Sequence, residues 1–343
     1  MSTSCRLSGT SDLDVVLLSE IYASPLLGGL WDVFVAEAGT YGLGPRLVRS
    51  VRRAQILRHP DAFRELATNK ALLSHLKNDP VTDPLFYLSH RHYLLRDLTV
   101  RDRVRAALTH YRHEVTAFDD VYFASVYEKG GLVLWSSHQN GVTYDITLTP
   151  GQDVLYEGGL TVAFRVDGQR VCVLSYAVLE AELIVPGHTS KSAILVSRNH
   201  LSQSRDYQAA FNRHFHRCMP GHLCMGAISG IARALGHHSV FGLLPGQHPS
   251  WSPEREAQFK ITYNDFWESL SGTKASEKCY EIQVPFPHKA VAEMDAAHRK
   301  RCLQRRAHVD DVHDAAHGVI LDRLRPPGAV APGRRIAASA TYA

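Results

Sequence analysis

Apolar and polar positions change rhythm along this chain, and each change predicts a different kind of structure. Between residues 45 and 115 the apolar residues recur at helical spacing between breakers. Val104, Leu108 and Tyr111 line one side of "TVRDRVRAALTHYRHEV", with arginines on the other. From Val121 the composition turns to Val, Tyr, Thr and Phe, in "VYFASVYEKGGLVLWSSH", "VTYDITLT" and "LTVAFRVDGQRVCVLSYAVLEAELIV". Gly130-Gly131 and Asp167-Gly168 separate strand-like runs there, and Asp-Gly is a two-residue hairpin signal. These runs predict an antiparallel meander, with one more strand at Ser192 to Ser197.

The stretch Phe215 to Leu244 then reads as loop, helix and strand. Pro220 suits a first helical turn, where its missing N–H costs nothing. Ile228, Ile231, Ala232 and Leu235 form one apolar face, Gly236 stops the helix, and Ser239 to Leu244 is strand-like. The order predicts that this strand lies parallel to Ser192–Ser197, with the helix crossing over between them. A loop, "PGQHPSWSP", precedes a second helix carrying Phe259, Tyr263, Phe266, Trp267 and Leu270, and "CYEIQV" is a closing strand. The predicted class is α+β, a mixed and mostly antiparallel sheet flanked by helices. Its expected parts are an N-terminal helical region (1–115), the sheet domain (116–290), a C-terminal helix (291–324) and a Pro/Gly/Ala-rich disordered tail (325–343).

Composition narrows the function classes. With 343 residues, 45% hydrophobic and 21% charged, the chain can bury one large core or two modest ones. A net charge of +4 is too mild to argue for nucleic acid, which needs a concentrated basic face. The six cysteines are scattered without a C-x-x-C pair, as free thiols in a reducing compartment would be. The first residues lack a basic flank followed by an apolar core, and Val15 to Ala36 is interrupted by Glu20, Pro25, glycines and Asp32. A cytoplasmic protein without a membrane span is the expectation.

Several chemical signatures can be tested by position. "GAISG" at Gly226 to Gly230 approaches a nucleophile elbow, but Ser229 is one residue off and inside the predicted helix, which argues against serine hydrolysis. Neither a phosphate loop nor a G-x-G-x-x-G occurs. His313 and His317 stand i, i+4 on a charged helix and read as a solvated face rather than a metal pair. The start of the helix at Pro220-Gly221 has basic neighbours Arg213, His214, His216, Arg217 and His222. Exposed N–H groups at a helix start suit a phosphate, and Gly221 would admit it closely. The plain alternative is an uncapped helix start beside a basic loop.

The order of motifs adds a family likeness. "FYLSHRHYLLRDLTVRDRVRAALTHYRHE", "PGHLCMGAISGIARALG", "KITYNDFWESLSG" followed by "CYEIQVPFP", and "KRCLQRRAHVDDVHDAAHGVI" together resemble the VirK/YbjX family over roughly residues 45 to 320. That resemblance implies a bacterial protein associated with virulence, envelope integrity and resistance to cationic antimicrobial peptides, without an agreed reaction. The second half is also similar in element order to GCN5-type acyltransferases. This likeness implies an acyl-CoA whose pyrophosphate sits on the helix start, with Arg217, Pro220, Gly221 and His222 as the cofactor-binding residues. It implies an amine attacking the thioester between splayed strands, with Glu180 and Glu182 as general bases, or as ordinary strand-edge carboxylates. Trp267 stands where many such enzymes have the tyrosine that protonates the leaving thiolate, so Tyr263 or water would take that role. Arg217 and Gly221 stand one residue further apart than in the acyltransferase pattern. The expected function is acyl transfer from acyl-CoA or an acyl carrier to an amine or hydroxyl of a small-molecule, lipid or peptide acceptor. The alternative is a non-catalytic lipid- or protein-binding factor using the same cleft or the arginine-rich helices.

Overall fold

Apolar alternation from Leu132 onward builds an eight-stranded sheet in the computed structural model of the chain, which describes residues 35, 42–54, 58–67, 69, 93–151, 158–201, 205–215, 218–287 and 296–326. The strands are β1 (Leu132–Gln139), β2 (Val142–Pro150), β3 (Leu160–Val166), β4 (Gln169–Glu180), β5 (Ser192–Leu201), β6 (Ser239–Leu243), β7 (Thr273–Lys274) and β8 (Cys279–Gln283). Their order in the sheet is β1-β2-β3-β4-β5-β6-β8-β7, and every pairing is antiparallel except β5 with β6. Asp167 and Gly168 have φ of 48° and 76°, the type I′ geometry expected of that dipeptide. Asn140-Gly141, with φ of 53° and 77°, makes the equivalent turn between β1 and β2.

The helices are α1 (Leu43–Ala54), α2 (Pro60–Ala67), α3 (Val100–Ala117), α4 (Asp120–Phe123), α5 (Arg205–His214), α6 (Pro220–Ala234), α7 (Glu256–Phe259), α8 (Phe266–Ser269) and α9 (Ala296–Leu321). A π-turn, Lys260–Asp265, joins α7 to α8. The strand-like reading of Val121–Glu128 is corrected: this segment is α4 continued by a π-turn. Asp119 caps it by accepting the Tyr122 N–H at 2.7 Å, and Tyr122, Phe123, Val126 and Tyr127 are buried at helical rather than alternating spacing. Gly130-Gly131 therefore joins a helix to β1 and is not a hairpin turn.

The expected crossover is present. Leu195 pairs with Phe241 and Val196 with Gly242 in parallel, and α6, which lies between β5 and β6 in sequence, packs on the sheet. Two glycines set the seat of α9 on α6. A Cβ at Gly226 would lie 2.9 Å from the Val309 carbonyl oxygen, and one at Gly230 only 2.3 Å from that of His313. The "GAISG" glycines are thus a close helix crossing, where Ser229 Oγ meets His313 Nδ1 at 2.9 Å. Trp135 ties α9 to β1 by donating its indole N–H to Asp311 at 2.7 Å.

Three of the four arginines of α3 are engaged within the fold. Arg103 is buried and donates to the Leu98 carbonyl at 2.7 Å, Arg105 pairs with Glu180, and Arg112 pairs with Glu65. On the buried side of α3, Glu114 accepts from Tyr122 and Tyr127, both at 2.8 Å. The five described cysteines, Cys172, Cys218, Cys224, Cys279 and Cys302, are buried free thiols. The tail from residue 327 lies outside the described residues.

Candidate functional site

Parallel pairing of β5 and β6 lasts two residues, and a hollow opens where it ends. β6 ends at Leu243, while β5 runs on to Leu201 with β4 alone beside it. Ser175 faces Arg198 and Tyr176 faces Val196, so Ser197 is an extra residue, a bulge that bends β5 where it leaves β6. The cleft that opens has a volume of about 450 Å³. Asn199, His200 and Leu201 form one wall, Met219, Pro220 and Gly221 at the start of α6 form the floor, and the π-turn residues Ile261, Thr262 and Tyr263 with Phe266 form the other wall. Asn199 holds the walls together by donating to the Thr262 carbonyl at 3.0 Å.

The chemistry-bearing groups of the cleft are Tyr263, His248, His200, Cys172 and Arg255. His248 is 4% exposed and packs beside the stacked rings of Phe259 and Tyr263, with centroids 5.1 and 5.2 Å away. Its Nδ1 accepts the Ser250 N–H at 3.1 Å, which places the proton of the neutral ring on Nε2. Arg255 lies over the Phe259 ring at 5.1 Å, a cation at the rim. No carboxylate is among the lining residues described. The α6 start carries no side-chain cap.

The structure brings Pro220, Gly221 and Tyr263 together and separates the other sequence candidates from them. Arg217 lies outside the described residues. The space over Gly221 holds the Phe266 ring, which a Cβ there would meet at 3.0 Å, so the glycine admits an aromatic ring. His222 is turned to Ser269, bonding Nε2 to Oγ at 2.9 Å, and does not line the cleft. Burial, with the nearby Arg305 guanidinium, pushes the His222 pKa down to about 4, so at neutral pH it has no charge to offer a pyrophosphate.

The two carboxylates are remote from the cleft. Glu180 pairs in register with Ser192, and Cys172 with Leu201, so Glu180 and Cys172 lie eight residues apart along β4, about 26 Å at 3.3 Å per residue. Glu180 is ion-paired with Arg105, and Glu182 accepts the Gly187 N–H at 2.9 Å. Both lie at or beyond the end of β4 opposite the one that reaches the cleft. Trp267 is fully buried against Gly242 and donates its indole N–H to the Leu243 carbonyl at 2.9 Å, a packing role.

A smaller hollow of about 280 Å³ lies near His188, His237, His238 and Glu281. His188 Nδ1 accepts the Ser190 N–H at 3.1 Å, and His238 Nδ1 meets Arg233 at 2.5 Å. Among the described residues no group of three or more His, Cys, Asp or Glu side chains is arranged to hold a metal ion, and no helix is long and apolar enough to cross a membrane.

His248 and Asn199 had no local sequence signal, because the loop "PGQHPSWSP" and the end of β5 meet only in the folded chain. No curated protein and no solved structure matches the chain. A family model described as "Protein of unknown function (DUF535)" matches residues 48–317, most of the length. The chain therefore belongs to the DUF535 family, the one to which VirK and YbjX belong.

Proposed function

We propose that the cleft between β5, the start of α6 and the π-turn holds the thioester arm of an acyl donor, CoA or a carrier, and that the chain transfers the acyl group to an amine or hydroxyl. The observation that carries this reading is the two-residue pairing of β5 with β6, after which a bulged β5 diverges over an uncapped helix start. This strand–helix–strand order, followed by an aromatic helix and an antiparallel closing strand, resembles the GCN5-type arrangement. Beyond Val196 β5 pairs with β4 only, and its side away from β4 is where the amides of a pantetheine arm would lie.

In this reading His248 donates from Nε2 to the thioester carbonyl oxygen as negative charge gathers there. The acceptor nitrogen or oxygen attacks the carbonyl carbon, the C–S bond breaks, and Tyr263 protonates the departing thiolate. The proton released by the acceptor returns to Tyr263. The absence of a carboxylate among the described lining residues favours a second reading, a non-catalytic acyl-thioester binder, which turnover distinguishes.

Calorimetry with acetyl-CoA and octanoyl-CoA tests the site. Gly221→Ala carries the packing cost against Phe266 alone, while Gly221→Glu adds a carboxylate. The Glu variant is expected to lose roughly thirtyfold in affinity beyond the Ala variant, about 2 kcal/mol, from like-charge repulsion in a partly dry site. Absence of binding to the wild type, or equal binding by the two variants, would sink the proposal.

A further inference from the structure

The helix α9 distributes its charge against its own dipole. Between Ala296 and Val309 it carries Arg299, Lys300, Arg301, Arg305 and Arg306 and no acid, and Asp310, Asp311 and Asp314 follow. A helix dipole favours acids at the start and bases at the end, yet the first turn has no acid and the last turn no base. Local helix stability does not account for this pattern.

Its placement does. Gly226 meets α9 at Val309, and Gly230 meets it at His313 and His317, so α6 and α9 run parallel. Arg305 acts electrostatically on both Cys218 and His222, which flank the floor of the cleft. Arg301 stands one turn before Arg305, so the basic half of α9 projects past the start of α6, beside the residues that flank the cleft floor. Lys300, Arg301 and Arg305 are exposed. The mouth is also apolar: Leu201, Met219 and Ile261 line it and are 45%, 52% and 67% exposed.

Resting on the proposed acyl-thioester cleft, we infer that the donor is presented by an acidic carrier protein, docked on this basic and apolar rim with its acyl-phosphopantetheine arm in the cleft. The nucleotide end of CoA is polar and makes no use of three exposed apolar side chains. A membrane-surface helix gathers its apolar residues into one continuous stripe, whereas here they come from β5, the residue before α6 and the π-turn, around an opening. Apolar anchors ringed by one sign of charge suit a protein partner of the opposite sign.

The full chain is titrated with three octanoyl thioesters: neutral octanoyl-pantetheine, octanoyl-CoA, and an acidic acyl carrier protein bearing octanoyl-phosphopantetheine. Octanoyl-pantetheine, followed by NMR into the millimolar range, reports on the cleft. The carrier is expected to bind at least tenfold tighter than octanoyl-CoA at 50 mM salt and to lose that advantage by 300 mM. The double variant K300E/R301E is expected to weaken the carrier more than tenfold and to leave octanoyl-pantetheine within twofold. If octanoyl-pantetheine fails to bind, the cleft reading fails and the rim falls with it. If it binds while the carrier is no tighter than octanoyl-CoA, or is indifferent to charge reversal, the rim reading alone is overturned. Phosphatidylglycerol vesicles capturing the protein with the same charge dependence, the carrier not doing so, would overturn it in favour of a membrane.

Discussion

Glu114 offers the sharpest test of the packing beneath α3. Its carboxyl is 1% exposed, accepts hydrogen bonds from Tyr122 and Tyr127 at 2.8 Å each, and lies 3.5 Å from the ring of His110. Burial raises its pKa from 4.5 to about 7, partly offset by the two tyrosines, while burial and His113 press His110 down to about 3. At neutral pH the imidazole is therefore uncharged and does not compensate a Glu114 carboxylate. The folded pKa lies above the unfolded one, so the folded chain holds a proton that the unfolded chain releases between pH 4.5 and 7. This group's contribution to stability must fall as pH rises through that window, opposite in sense to that of the buried histidines, whose pKa values are lowered. From pH 5 to pH 8 the loss from this group is on the order of 2–3 kcal/mol, since each pKa unit is about 1.4 kcal/mol. Glu114→Gln removes the titration and keeps a planar group for both hydroxyls. Urea unfolding of both proteins at pH 5, 6, 7 and 8 should therefore show the variant gaining on the wild type by about 2–3 kcal/mol across the series. Parallel pH profiles would refute the buried, protonated carboxyl. A variant that gained on the wild type as pH fell would refute the sign as well.

Three further outcomes follow from the geometry. Gly230→Ala sets a Cβ 2.3 Å from the backbone oxygen of His313, so overpacking of about 2–3 kcal/mol should outweigh the roughly 1 kcal/mol gained in helix propensity, and a thermal melt as stable as wild type would contradict the crossing. Glu180→Gln and Glu182→Gln, at the far edge of β4, should leave octanoyl-CoA affinity and any transfer rate within twofold, whereas a hundredfold fall in rate would reinstate them as bases. Trp267→Phe should cost about 2 kcal/mol through the lost bond to the Leu243 carbonyl and the volume left beside Gly242, with cleft binding unchanged once folding is corrected for; denaturation and calorimetry on the same sample separate the two.

What was legible in the sequence divides by the distance over which each signal acts. The strand at Ser192, the helix from Pro220 and the strand from Ser239 could be read because helix period, strand composition and the Pro220 and Gly236 boundaries are all local, and parallel crossovers admit few topologies, whereas α5 and the run of β5 on to Leu201 were not expected. Val121 to Glu128 was misread by weighing Val, Tyr and Phe as strand formers, although Asp119 as a cap and the i, i+1, i+4, i+5 burial of Tyr122, Phe123, Val126 and Tyr127 were there to be counted. Gly226 and Gly230, four apart inside an apolar helix, signalled a close crossing as clearly as they failed to signal an elbow.

The site divides the same way. Pro220, Gly221 and Tyr263 converge because β5, α6, β6 and the π-turn follow one another along the chain and fold on one another in that order. Glu180 ends the strand that reaches the cleft and Glu182 lies in the turn after it, yet both fall outside the cleft. A strand advances about 3.3 Å per residue, so being on the right strand is no argument without the register, and the register here sets Glu180 opposite Ser192 and Cys172 opposite Leu201. His248 was invisible for the converse reason. It belongs to no regular element, and only the pairing of β6 with β8 around the intervening π-turn brings its loop back over Phe259 and Tyr263. A donor at that position can be preorganised without any motif, because the Ser250 N–H that fixes its tautomer comes from the same tight loop. Chemistry placed by a loop on a bulged, diverging strand is set by the register of the sheet, and register is what single-sequence periodicity does not carry.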